Sequence, residues 1–338
     1  MIFLSGCDYL DEMFAMKRNN IIYDTNNTNS SNTNELQFKL SNEDTLILDN
    51  DSYDPDYIPL VLNAIEEHKR GNVNVGLIIV SEDGLSDKTN MLYRSILDKF
   101  NSNIPVTLAH GASDRAFRSK LTNNLENYTD IINDSSIEDA IEVLENKLES
   151  QEDKTVTYAT GGKLIFLSKF LSNPQRLELF KLKVKELIIG MGCNPLDKKC
   201  SREFNLAATD KAYRATKDVY SKLHGRIPFG VIDDKRGDIR KIRALDIFKN
   251  ANIPLMHHLL GTNIYGTYGD HHAGDVEILF SQSRKEMFNK YRCNVKLENK
   301  ALKAYIDKNG KDYVYINKGL NINSSTKSNY QRLINSVQ

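Results

Sequence analysis

The sequence predicts an α/β fold: a doubly wound, mostly parallel sheet with helices on both faces. Two observations carry this. From about residue 45, apolar runs of strand length alternate with amphipathic segments of helical length. Most of those runs stop at a charged residue, serine or glycine, as strands buried on both faces do. A length of 338 residues with 40% hydrophobic side chains supports one large core of this kind.

The first run, "TLILD", begins at Thr45 and reads as a buried strand. "YIPLVLNAIEEHKR" then places Ile58, Val61, Leu62 and Ile65 at helical spacing. Pro59 fits only in the first turn, where amides have no intrahelical partner, so the helix starts near Asp56. The alternation continues through "NVGLIIVS" (strand), "KTNMLYRSILDKF" (helix) and "IPVTLAHG" (strand). "SSIEDAIEVLENKLES" is a helix opened by a capping box from Ser136 to Asp139. "TVTYATGG" and "VKELIIGMG" are strands ending in glycine, separated by the helix "KLIFLSKFLS". "DKAYRATKDVYSKLHG" reads as a helix and "IPFGVID" as a strand. "NGKDYVYINKG" reads as a hairpin or edge strand, and "KSNYQRLINSVQ" as a terminal helix.

Residues 1–44 form a separate segment, a flexible arm or tether before the α/β domain of 45–338. "NNIIYDTNNTNSSNTNE" is polar and has almost nothing to bury. "LSGC", ending at Cys7, resembles a bacterial lipobox, which implies a cell-envelope lipoprotein if a longer precursor supplies the signal. Only "MIF" precedes the box, so the signal rules are unmet as written, and a cytoplasmic protein is the other expectation. Lys plus Arg and Asp plus Glu are both 45, so no global field favours nucleic acid. No apolar run approaches 18 residues, which excludes a spanning helix from the sequence. Cys7, Cys193, Cys200 and Cys293 form no CxxC pair and read as free thiols.

In a parallel sheet, ligands bind at the carboxyl ends of the strands. That rim would gather Asp49, Asp51, Ser81, His110, Gly161, Gly162 and Gly192. Its densest feature is "LDNDSYDPDYIPLVL", with Asp49, Asp51, Asp54 and Asp56. Carboxylates this close repel one another unless a cation or solvent offsets them. An EF-hand is rejected: counting from Asp49, its glycine position holds Asp54 and its glutamate position holds Leu60. A DxD at a strand end also has the form of haloacid-dehalogenase-type phosphatases, with Ser81, Asp233 and Asp234 as further parts.

A broader resemblance is to the inosine–uridine-preferring nucleoside hydrolases. "LDNDSYDPDYIPLVL" resembles their opening DTDPGxDDxxAL, and "IPVTLAHGA" their IPVYRGA. "ATGGKLIFLSKFLSNP" is similar to AVGPLTNLALALRLDP, "VKELIIGMG" to IKRIVLMGG, and "REFNLAATDKAYRA" to AEFNIxxDPEAA. "GDHHAGDVEILF" falls where the family has HDPLAVAYLL. The order is collinear over residues 45 to 280.

The resemblance implies hydrolysis of a ribosyl N-glycosidic bond in a small nucleoside or related substrate, at a calcium site. By the same token Asp49, Asp51, Asp56 and the backbone carbonyl of Leu164 would ligate the ion. Asp51 would also take a proton from the attacking water, and Asp54, Glu203 and Asn205 would bind the ribose. His271 would protonate the leaving base, and His272 falls on the family's late metal-binding aspartate. Asp270 or Asp275 would then have to supply that oxygen. The family's first aspartate of its DD pair falls on Pro55, and its asparagine after the threonine carbonyl falls on Ile165. These departures leave an inactive ribosyl-binding relative as the alternative from another class.

Overall fold

The first predicted strand forms β1 (Thr45–Asn50), buried at every position, as a strand covered on both faces should be. There follow α1 (Tyr57–Lys69), β2 (Asn74–Val80), α2 (Lys88–Lys99), β3 (Val106–Leu108) and α3 (Ala140–Glu149). Next come β4 (Val156–Thr160), α4 (Ile165–Phe170), α5 (Pro174–Lys183), β5 (Val184–Gly192), α6 (Asp210–Leu223) and β6 (Phe229–Asp233). The remainder is β7 (Lys241–Arg243), α7 (Ala244–Phe248), α8 (Pro254–Gly261), β8 (Asp270–His272), α9 (Val276–Ser283), β9 (Phe288–Glu298), β10 (Ala301–Ile306), β11 (Asp312–Asn317) and α10 (Ile322–Asn335). This computed structural model describes residues 44–50, 57–81, 88–109, 140–192, 209–233, 241–261, 270–272 and 275–338. All of them lie in the unit Phe38–Gln338. The tether, Cys7, Cys193, Cys200 and the capping box of Ser136 to Asp139 fall outside the described residues.

Nine strands form one sheet in the order β10-β9-β11-β6-β5-β4-β1-β2-β3. From β3 across to β11 every pairing is parallel, and β9 is antiparallel to both β11 and β10. From β1 the chain winds outward through β2 and β3, then returns to pair β4 on the other side of β1. That reversal puts the topological switch point between β1 and β4, where such sheets open a crevice.

Side chains alternate across β1, and two cores result. Leu46 and Leu48 join Ile58 and Leu62 of α1, Val276 and Ile278 of α9, and Tyr330 of α10. Ile47 faces the other way, with Leu144 of α3, Phe166 of α4, Phe180 of α5 and Val219 of α6. Burying each such side chain contributes about 1.5–3 kcal/mol.

Three parts differ from the expectation. β11 is an interior strand, paired on both edges, and not an edge. The hairpin is β9–β10 instead, turning through Asn299 (φ 53°) and Lys300 (φ 62°). A tight turn with both central residues at positive φ favours Asn-Gly, so Asn-Lys concealed it. Thirdly, α5 is held by its start: Asn173 accepts from the amides of Gln175 and Arg176, and Pro174 opens the first turn. Phe180 is the one buried residue of α5, too little periodicity to announce a helix.

Candidate functional site at the carboxyl ends of β1 and β4

The last two residues of β1 point to opposite faces. Asp49 turns toward the Ile47 core. Its Oδ1 accepts from the Ser81 hydroxyl and its Oδ2 accepts from the Tyr158 hydroxyl at 2.5 Å. With 1% of its surface exposed, the carboxyl is pushed up to about 7 by loss of solvent, partly countered by the Tyr158 bond. Burial first and then the Asp49 charge push the Tyr158 hydroxyl well above its ordinary value. Backbone bonds fix the same corner: the Ser81 amide donates to the Asn50 carbonyl at 2.9 Å, and the Gly161 amide to the Asp49 carbonyl at 3.1 Å.

Asn50 presents its side chain on the other face. It is 1% exposed, and among the described residues neither its Oδ1 nor its Nδ2 has a hydrogen-bond partner. An unsatisfied buried amide costs about 1–3 kcal/mol. Opposite it, Gly161 leaves out a side chain where one could not fit. A Cβ there would lie 2.7 Å from Asp275 Oδ1 and 2.8 Å from Asn50 Oδ1. The missing side chain leaves room for a carboxylate and an amide beside the switch point.

Asp275 reaches this place through α9. Its carboxylate makes no capping bond to the helix it precedes, so the side chain is directed away from the α9 amides. A second glycine sets the depth of α9: a Cβ on Gly190 of β5 would lie 2.2 Å from Ile278 Cδ1. The absent side chain leaves room for Ile278 to seat on the sheet at that position.

Other predicted positions divide clearly. Leu164 is buried at the start of α4, where its carbonyl accepts from the Ser168 amide at 2.9 Å. Ile165 is buried against Ala212 and Ala215 of α6. Asp270, His271 and His272 form β8, paired with Arg243, Ile242 and Lys241 respectively; their side chains are outside the described set. So are Asp51, Asp54, Asp56, His110, Glu203, Asn205 and Asp234. Sequence reasoning missed Asn50 and Tyr158. The available signals were a polar residue ending an apolar run and a tyrosine within a buried strand, whose hydroxyl needs a partner.

Among the described residues no three His, Cys, Asp or Glu side chains gather as a metal site. The described rim does supply one carboxylate and an orphaned amide oxygen. All-oxygen donors of this kind suit a hard cation such as calcium. Elsewhere, Cys293 is free and buried, and desolvation pushes its thiol up to about 12, which keeps it inert. No helix among the described residues is long and apolar enough to cross a membrane.

No protein-family model and no curated protein sequence matches the chain. Solved structures do. An inosine–uridine-preferring nucleoside hydrolase from Bacillus anthracis superposes with a TM-score of 0.57 at 15% identity, covering 87% of this chain and 100% of that one. The chain has the nucleoside hydrolase fold. A purine-preferring ribonucleoside hydrolase from Gardnerella vaginalis gives 0.55 at 12% identity, covering 87% of this chain and 98% of that one. The type III effector XopQ, solved with adenosine diphosphate ribose, gives 0.52 at 13% identity over 87% of this chain and 93% of its own.

Proposed function

We propose that this protein hydrolyses the N-glycosidic bond of a ribonucleoside or related ribosyl compound at a calcium-dependent site. One observation carries the reading: at the switch point of a nucleoside hydrolase fold, Asp275 and Asn50 both lie where a side chain on Gly161 would stand. Asp275 is the acid that takes the place of the family's late aspartate, with the Leu164 carbonyl, Asp51 and Asp56 completing an oxygen-rich ligand set. When bound, calcium would offset the crowded carboxylates, orient the ribose hydroxyls and acidify a water.

The protein's own groups would then divide the work. Asp51 accepts the proton of the attacking water. Asp54, Glu203 and Asn205 hold the ribose, and His271 donates a proton to the leaving base. Asp49 serves beneath the site: with both oxygens engaged by Ser81 and Tyr158, it anchors the end of β1. The same engagement speaks against the phosphatase, which needs the first aspartate of the motif as an accessible nucleophile.

A second reading, ribosyl binding without hydrolysis, is favoured by Ile165. It packs between α4 and α6 where the family motif carries an asparagine. A panel of nucleosides with added calcium, read by reducing-sugar release, separates the two. Sugar release from at least one nucleoside is expected, and its loss on chelation. Ligand binding without release would establish the second reading.

A further inference from the structure

We propose that Asn50 is itself a ligand of the cation, its side-chain carbonyl oxygen sharing the ion with Asp275. This rests on the calcium site proposed above and adds a residue to which the family motif gives no part. Asn50 stands between Asp49 and Asp51, at the position of the threonine in DTDPG. Strand alternation turns it away from the Asp49–Ser81–Tyr158 cluster and onto the face of Gly161 and Asp275. There two acceptor oxygens, Asn50 Oδ1 and Asp275 Oδ1, both approach the place a glycine side chain would fill, at 2.8 and 2.7 Å. A cation beside Asp275 would give Asn50 Oδ1 the partner it lacks.

The amide chemistry fits a calcium ligand. A side-chain carbonyl is one of the neutral oxygens calcium accepts, and it adds a donor without adding charge to an already acidic loop. The amide nitrogen, also unbonded, would donate to an oxygen carried in with the ion, such as a bound water or a ribosyl hydroxyl. The buried amide is therefore built for a state in which something else is present.

The test is calorimetric titration of calcium into the full chain, the Asn50→Leu variant and the Asn50→Asp variant, with metal-free melting temperatures. Leu removes both orphaned atoms at similar volume. It should weaken calcium binding about tenfold or more and leave the metal-free melting temperature unchanged or higher. Asp exchanges a carbonyl for a carboxylate. It should bind calcium more tightly and melt lower without it. An Asn50→Leu variant with the unmutated affinity would overturn the assignment while leaving the calcium site standing. So would a lower metal-free melting temperature with calcium affinity retained, since the amide would then serve only the fold. No calcium binding by the unmutated chain would overturn this inference and the calcium site together.

Discussion

The two ends of the sheet bury polar groups in opposite ways. At the amino-terminal end of the strands, where α1 finishes, Glu67 is fully buried and fully bonded. Its Oε1 takes two bonds from Arg284, at 2.9 and 2.6 Å, and one from Asn329 at 2.8 Å, and its Oε2 takes one from Asn72 at 2.7 Å. Asn329 also donates to Asn63, which donates to the Pro59 carbonyl, while Arg332 bonds Glu66 at 2.6 Å. This network ties α10 and the end of α9 to α1. At the carboxyl end, Asn50 is as buried as Glu67 and has no partner among the described residues. A buried polar group with every bond made stabilises a fold; one with none is a cost that a ligand can relieve. The difference separates a clamp from a candidate site.

The comparison breaks most visibly at the clamp. Glu67→Leu should cost about 3–5 kcal/mol, because it strands Arg284 and Asn329 in the interior. Denaturant unfolding measures this, and a loss under about 1 kcal/mol would mean that the network is idle. Calcium affinity should not change, since nothing at the rim is touched.

At the other end the expected loss is in rate. Asp51→Asn should lower any ribohydrolase turnover by about a hundredfold or more, the scale for a missing general base, with unfolding midpoints little changed. Near-normal turnover in a folded variant would remove Asp51 from that role.

A smaller effect follows from pH. Burial alone would raise the Glu67 carboxyl, but the bonds from Arg284, Asn72 and Asn329 and the Arg284 charge hold it below its ordinary value of 4.5. A depressed carboxylate contributes stability that is fully present above the unfolded value and is lost as pH falls through the folded one. Stability should therefore drop on acidification below about pH 4.5, and Glu67→Gln should flatten that limb. An unchanged acid limb would assign the sensitivity to other carboxylates.

Much of this was legible in the sequence, and the exceptions have physical causes. β1, β2, β4 and β5 are buried on both faces, so their apolar runs announce them. The strand ends of a parallel sheet placed Gly161 at the rim, and its close approach to Asp275 is the kind of reason a glycine stands there. β9 and β10 were invisible because half-exposed positions blur their alternation and Lys300 stands where glycine usually marks such a turn. That Asp275 lies against Gly161 could not be read from spacing. It depends on how α9 packs on the sheet, where Ile278 lies against Gly190, 88 positions earlier in the chain. Asn50 escaped notice because a single polar residue among aspartates carries no pattern.

The most direct test of the central claim is the calcium dependence of the melting temperature in three proteins: the unmutated chain, Glu67→Gln and Asp275→Asn. Calcium at 100 times its dissociation constant should stabilise the unmutated chain by about 2.7 kcal/mol. Glu67→Gln should start lower and gain the same increment, since the clamp takes no part in binding. Asp275→Asn should start near the unmutated value and gain little. An equal gain in all three would show that calcium binds elsewhere, and no gain in the unmutated chain would show that the rim is not a calcium site.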